Sequence, residues 1–204
     1  MDLLDNYKKA WNNQPEDAHK VSSLEIYKMA QSKSSSIVKW IFIIGIAEFV
    51  FLNSLYFLSD MDEVLKTYEK LELVNFMFFS GILGYIILFF FLAKFYQNYK
   101  RISATASTKV LMNNILKTRK TVRNYVIFNL GYVAIVTMVV SIASIKMEFE
   151  ILNTKKLLLI GFIILTATVL ILGLLWLFYQ LLYGILLKKL NRNYKELSKL
   201  DCTN

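Results

Sequence analysis

The chain has 204 residues, of which 56% are hydrophobic and 19% are charged, and its formal net charge is +9. Soluble domains carry nearer a quarter charged residues, so this composition is typical of a membrane protein. No DNA-reading motif accompanies the excess of Lys and Arg, which excludes nucleic acid as the predicted partner.

The first 36 residues are polar, and we expect them to form a cytoplasmic N-terminal segment with an amphipathic helix. Apolar side chains near the start recur at spacings of three and four, which places them on one helix face. They are Leu3, Leu4, Tyr7 and Trp11. The sequence leaves open what this face packs against: the loop at 94–124, the lipid interface or a soluble partner protein.

A second helix start follows in the same segment. Ser22 and Glu25 have the spacing of a capping box, in which each side chain bonds the other residue's backbone N–H. Val21 and Ile26 occupy the matching positions of a hydrophobic staple. The pattern predicts a helix that begins at Ser23.

Four apolar runs follow, and each is long enough to cross a hydrocarbon core of about 30 Å as a helix. The runs are continuous rather than alternating, which favours helices over barrel strands. The predicted spans are about 37–58, 73–93, 125–145 and 157–187. Residues 37–187 are therefore predicted to form an all-α, integral membrane four-helix bundle. The fourth run exceeds the bilayer, so its end should emerge as helix or tilt strongly.

Charge predicts the orientation of these spans. The loop at 94–124 holds eight basic residues and no acid, and the tail at 188–204 is also basic, whereas residues 59–72 have a net charge of −3. Because short basic loops stay in the cytoplasm, the loop, the tail and both chain ends are predicted to lie inside. We expect anionic lipid headgroups to contact the bases nearest the third span. These are Lys117, Arg119, Lys120 and Arg123.

The basic loop is too long for a simple turn and should itself be helical. The second span is predicted to continue to about Arg101, and a new helix is predicted from Lys109 into the third span. The stretch between them is rich in Ser and Thr, which favour helix caps. The apolar side of the new helix would consist of Val110, Leu111, Ile115 and Val122.

A carboxyl group interrupts the first span. Glu48 lies ten residues beyond Val38, which predicts a depth of about 15 Å, near the midplane. A central charge costs on the order of 3 kcal/mol, so Glu48 should face protein, with Gly45 on the same face allowing close helix approach. Its predicted polar contacts, chosen by depth, are Tyr85, Thr137 and Thr166. As a protonated acid it could serve a structural hydrogen bond or an ion path, and both interpretations stay open.

Small and polar residues on the third and fourth spans should face the same interior. The predicted stripes are Ala134, Thr137, Ser141 and Ser144 on the third span, and Thr166, Gly173, Gln180 and Gly184 on the fourth.

Chemistry-bearing motifs are absent from the sequence. The chain has one histidine, His19, and one cysteine, Cys202, which excludes a histidine-rich iron site, an internal disulfide and a zinc cluster. No nucleotide-binding or hydrolase motif occurs. We therefore expect a protein without enzymatic activity, with no catalytic, cofactor-binding or metal-binding residues.

Two segments carry a resemblance to a known family: KSSSIVKWIFIIGIAEF at 33–49 and YKRISATASTKVLMNNILKTRKTVRNYV at 99–126. They resemble small, uncharacterised four-span inner-membrane proteins of Gram-negative bacteria, and the resemblance covers almost the whole chain. Members are sometimes labelled beta-carotene monooxygenase by automatic transfer, which a single histidine makes chemically implausible here. Members are often encoded beside extracytoplasmic-function sigma factors, which implies a sigma factor as a partner and the bacterial inner membrane as the location.

Two functional hypotheses follow. The first is a regulatory, anti-sigma-like tether that binds a cytoplasmic partner through residues 1–36 and the loop at 94–124. The alternative is a subunit of a transporter or membrane complex that uses the intramembrane carboxyl. Either could be a homo-oligomer. A third hypothesis, a lipid-modifying enzyme, needs a polar cluster that the sequence does not show.

Overall fold

The computed structural model describes residues 22–149 and 154–201, and all the regular secondary structure in them is helical. Four of the described helices are long and apolar enough to cross a membrane. This confirms the predicted all-α, four-helix membrane bundle. The helices are α1 (Ser23–Ser54, extended by a 3-10 turn at Leu55–Leu58), α2 (Met61–Lys70), α3 (Val74–Ser103), α4 (Thr108–Phe149), α5 (Thr154–Tyr179) and α6 (Ile185–Asp201). A π-helical segment, Gln180–Gly184, joins α5 to α6 without a break.

The first helix begins where the sequence predicts. The Ser22 hydroxyl accepts from the Glu25 N–H at 3.2 Å, and the Ser22 N–H donates to Glu25 Oε2 at 3.1 Å, which confirms the capping box. The Val21 half of the predicted staple lies outside the described residues, as does the predicted face of Leu3, Leu4, Tyr7 and Trp11.

The basic loop predicted at 94–124 consists mostly of helix, and its two helices meet in one tight corner. Helix α3 ends at Ser103 and α4 starts at Thr108, close to the predicted limits. Helix α1 closes over this corner, because the Tyr27 hydroxyl and the Gln31 amide both donate to the Thr105 carbonyl at 2.6 Å. The end of α6 joins them, since Leu197 belongs to one buried cluster with Ala30 and Ile102. This end of the bundle, formed by the corner, the start of α1 and the end of α6, is here called the basic end.

The dense core of the described chain lies at this basic end. Along α4, buried residues recur at alternating spacings of four and three, the repeat of helices that pack as in a coiled coil. They are Leu111, Ile115, Thr118, Val122 and Tyr125. The facing buried side chains include Ala30, Ser34 and Val38 of α1, Ile102 of α3, and Leu190, Asn193 and Leu197 of α6.

The predicted apolar side of α4 is correct in three positions of four. Leu111, Ile115 and Val122 are fully buried. Val110 is half-exposed because it does not lie on the helix face that carries the core repeat. Polar core residues pair with each other across helices: the Asn193 amide donates to the Ser34 hydroxyl at 3.1 Å.

Away from the basic end the helices pack thinly. Among the described residues, the most apolar stretches of α4 and α5 contain no buried side chain, and Leu158 and Phe162 are about 70% exposed. Lipid is the natural cover for these faces, since a lipid tail is as apolar as leucine.

Helix α1 is shorter than α3 at the end of the bundle that carries the acidic segment 59–72. The Tyr85 hydroxyl donates to Asn53 Oδ1 at 2.7 Å, which sets these two residues at one level. From that level α1 and its 3-10 turn continue for five residues to Leu58, whereas α3 extends eleven residues back to Val74. The short, charged helix α2 spans the difference.

The core at the basic end should dominate stability. We predict that Leu111→Ala lowers the free energy of unfolding by about 2–5 kcal/mol, because it opens a cavity at a fully buried site. Denaturant titration of the detergent-solubilised protein measures this change. The matched control is Leu116→Ala on the same helix, where the leucine is 42% exposed and the change should be small. Equal losses in both variants would contradict the location of the core.

Candidate functional site

Glu48 forms the centre of a buried polar cluster that joins two helices. The Tyr179 hydroxyl donates to Glu48 Oε1 at 2.6 Å, and the Tyr183 hydroxyl donates to Glu48 Oε2 at 3.2 Å. All three side chains are buried. The carboxyl group therefore has a partner for each oxygen, and it joins α1 to the α5–α6 junction across more than 130 residues of sequence.

Aromatic rings enclose this cluster. The Tyr125 ring of α4 lies 6.1 Å from the Tyr179 ring and 5.8 Å from the Tyr183 ring, both edge-to-face. Phe91 and Phe95 of α3 contact Tyr125 in the same geometry. Helix α1 thus supplies the carboxyl, and rings from α3, α4 and the α5–α6 junction enclose it. The carboxyl and its three nearest tyrosines are here called the tyrosine cluster: Glu48, Tyr125, Tyr179 and Tyr183.

Two local features of the backbone make this shell possible. A Cβ on Gly45 would lie 2.9 Å from the Leu92 side chain, so glycine allows the close approach of α1 and α3 that the sequence predicts. The π-helical segment begins directly after Tyr179 and contains Tyr183. Such segments often occur at functional sites.

The charge spacing on α4 indicates that Glu48 lies nearer the basic edge of the apolar belt than its centre. Tyr125, which packs beside it, follows Arg123 by two residues. Beyond Tyr125, α4 has no charged residue before Lys146, about 31 Å further along the helix axis. That length equals the whole hydrocarbon core of about 30 Å. The midplane prediction counted depth along α1 alone, whereas the charges on α4 indicate a level nearer the basic edge.

The predicted polar partners of Glu48 make their hydrogen bonds elsewhere. Tyr85 donates to Asn53, Thr137 donates to the Val133 carbonyl of its own helix, and Thr166 donates likewise to the Phe162 carbonyl. Thr166 and Gly173 are exposed, so the predicted inward stripe on the fourth span is also wrong. The inward face of that span carries Tyr179 and Tyr183 instead.

A cavity of about 540 Å³ opens on the membrane side of the cluster. Glu48 and Tyr179 form its end, and the polar side chains Asn53, Tyr85, Asn129 and Tyr132 line its walls among aromatic and aliphatic groups. The Tyr132 hydroxyl donates to the Ser80 carbonyl at 2.8 Å across the α3–α4 interface. The site can therefore accommodate an apolar ligand with a hydrogen-bonding group.

The four predicted lipid-contacting bases take different positions. Arg119 is half-buried and donates from Nη1 to Asn191 Oδ1 of α6 at 2.8 Å, whereas Lys117, Lys120 and Arg123 are exposed. Arg119, Lys120 and Arg123 line a second cavity, between α4 and the α5–α6 junction, and Lys117 does not. Tyr179 lines both cavities and separates them.

The described residues contain no group of three or more His, Cys, Asp or Glu side chains arranged to hold a metal ion. Sequence reasoning missed Tyr125, Tyr179 and Tyr183. The available signal was the spacing of Tyr179 and Tyr183, four residues apart and so on one helix face, near the basic end of the fourth run.

The carboxyl and its tyrosines should act as one unit. We predict a coupling free energy of about 1–3 kcal/mol between Glu48→Leu and Tyr179→Phe, since either change leaves the other buried polar group without its partner. Unfolding of the two single variants and the double variant measures it. Pairing Glu48→Leu with Tyr96→Phe, a half-exposed tyrosine outside the cluster, is the control and should be additive. Additive losses for Glu48 and Tyr179 would refute the unit.

Comparison with known proteins gives a family without an assigned activity. The model of the family described as Domain of unknown function (DUF8845) matches residues 24–202, which include every described helix except the first residue of α1. No curated protein and no solved structure matches the chain. Since the match spans most of the sequence, the chain belongs to the DUF8845 family.

Proposed function

We propose that this protein is a non-enzymatic, regulatory tether of the bacterial inner membrane that holds a cytoplasmic partner at its basic end. One observation carries the proposal: the dense core lies at the basic end, where α1, α3, α4 and α6 continue as a packed bundle past the apolar belt. A protein that only conducted a solute would need its packing around a path near the midplane. Here the midplane packing is thin, and the rigid part projects beyond the lipid.

The charge pattern supports a cytoplasmic position for this bundle. Helix ends and the corner at the basic end carry most of the excess Lys and Arg, and the opposite end carries the net-negative segment at 59–72. By the positive-inside rule this pattern favours a cytoplasmic position for the packed bundle and both chain ends.

The N-terminal segment has a rigid attachment in this arrangement. The capping box fixes the start of α1, and Tyr27 and Gln31 hold its first turns to the Thr105 corner. A partner bound by residues 1–21 would therefore be tethered to the basic end, where α1 begins. The resemblance described above implies an extracytoplasmic-function sigma factor as that partner, bound by the face of Leu3, Leu4, Tyr7 and Trp11.

The cavity beside Glu48 favours a second candidate, a subunit of a membrane complex that binds an apolar ligand or conducts ions there. A buried carboxyl at the end of a cavity of about 540 Å³ is the observation in its favour. Against an ion path, both carboxyl oxygens already accept hydrogen bonds from tyrosines.

The tether makes a specific prediction for the full-length, affinity-tagged protein purified from gently solubilised membranes of its host. Tyr7→Ala combined with Trp11→Ala should reduce co-purified sigma factor at least about tenfold, since aromatic anchors dominate binding energy. The measurement is quantitative mass spectrometry of the eluate.

The matched control is Lys9→Ala combined with Asn13→Ala, which changes the opposite side of the same predicted helix and should retain the partner. Glu48→Gln should also retain it, whereas a ligand-binding subunit would lose its activity in that variant. Equal retention in the aromatic and control variants, or no sigma factor with the wild type, would refute the tether.

A further inference from the structure

The groove between α4 and the α5–α6 junction has two chemically different ends. It encloses about 550 Å³. Arg119, Lys120, Arg123 and Lys188 line one end, and Val126, Leu130 and Trp176 are among the apolar residues that line the other. Arg123 and Leu130 are about 10 Å apart along α4, so the change from cationic to apolar lining occurs within two helical turns.

The groove also crosses the edge of the apolar belt. Its cations lie at the level where α4 leaves the belt, next to Tyr125, and its apolar end faces the stretch that lipid covers. A ligand that fills the groove must therefore combine an anionic group with a hydrocarbon chain, and it must approach from the membrane.

The backbone at one wall of the groove is π-helical. The π-helical segment Gln180–Gly184 forms one wall, and the Gln180 side chain folds back over Gly184, where a Cβ would lie 3.1–3.3 Å from its amide group. Glycine thus allows this amide to lie flat against the wall. None of the residues that line the groove is acidic, and Glu48 lies behind Tyr179 and Tyr183.

One cation is already oriented toward such a ligand. Arg119 uses one guanidinium N–H to bond Asn191 at 2.8 Å, which fixes the group while most of its five donors are left for an anion. Guanidinium groups pair with phosphate in a forked geometry. Basic pockets between membrane helices commonly bind anionic lipid headgroups.

We propose that this groove binds one anionic phospholipid, with its phosphate among Arg119, Lys120, Arg123 and Lys188, and an acyl chain along Val126, Leu130 and Trp176. This is a defined site for a single lipid, and it is independent of the tether. Its volume lies within the range of about 300–1,000 Å³ that holds small-molecule ligands, enough for a headgroup and the first part of a chain. Free phosphate shares the headgroup chemistry, so the test must separate these two sources.

The test is a lipid titration of the full-length protein in detergent, followed by native mass spectrometry, with phosphatidylglycerol as the probe. We expect one tightly bound lipid. The combined variant Lys120→Gln, Arg123→Gln and Lys188→Gln should weaken it at least about tenfold, because three cations near the phosphate are removed. All three side chains are exposed, so the variant should fold.

The matched control changes two lysines and one arginine on α3, outside the groove: Lys94→Gln, Lys100→Gln and Arg101→Gln. It should bind the lipid like the wild type. Equal weakening in both variants would show a general charge effect and overturn the site. Phosphatidylcholine binding as tightly as phosphatidylglycerol, or inorganic phosphate displacing the lipid at comparable concentration, would also overturn it.

Discussion

Lipid gives four apolar helices no hydrophobic reason to stay together, and this constraint explains where the molecule is packed. Inside the bilayer a leucine is as well solvated by acyl chains as by another leucine. At the basic end the helices meet water, and there burial of apolar surface stabilises the bundle again. The buried 4–3 repeat of α4 begins at Leu111 and ends at Tyr125, beside the last cation before the apolar belt. Beyond Tyr125, the described part of α4 buries few side chains against the other helices, and lipid is its main cover.

Glu48 lies at the boundary between the densely packed basic end and the thinly packed apolar stretch of the bundle. On its basic side the helices are joined by buried aliphatic and aromatic side chains. On its membrane side the contacts are aromatic pairs, such as Phe49 with Tyr85, and hydrogen bonds, such as that from Tyr132 to the Ser80 carbonyl. Two tyrosines satisfy both carboxyl oxygens at the boundary, so the group binds α1 to the α5–α6 junction through two hydrogen bonds. The separation of two cavities by Tyr179 follows from the same arrangement.

The sequence predicts two kinds of feature well: long apolar helices and helix starts that depend on neighbouring residues. Four spans follow from hydrocarbon thickness, and the start of α1 follows from Ser22 and Glu25, whose chemistry acts within one turn. The contacts of Glu48 could not be predicted in this way, because they depend on the relative level of helices 131 residues apart. Counting depth from Val38 along α1 alone assumes that every helix enters the belt at its own first apolar residue. Apolar periodicity also does not identify the core residues correctly, since Ser34, Thr118 and Asn193 are buried whereas Val110 is half-exposed.

The central claim is that the tyrosine cluster marks the basic edge of the hydrocarbon and that the core lies outside it. Membrane depth of single nitroxide labels on α4, in a Cys202→Ser background, tests this most directly. Labels at the exposed positions Lys120, Phe128 and Met138 should report water, the shallow hydrocarbon and the bilayer centre, in that order. A label at Phe128 as deep as the one at Met138, or one at Lys120 within the hydrocarbon, would contradict the account.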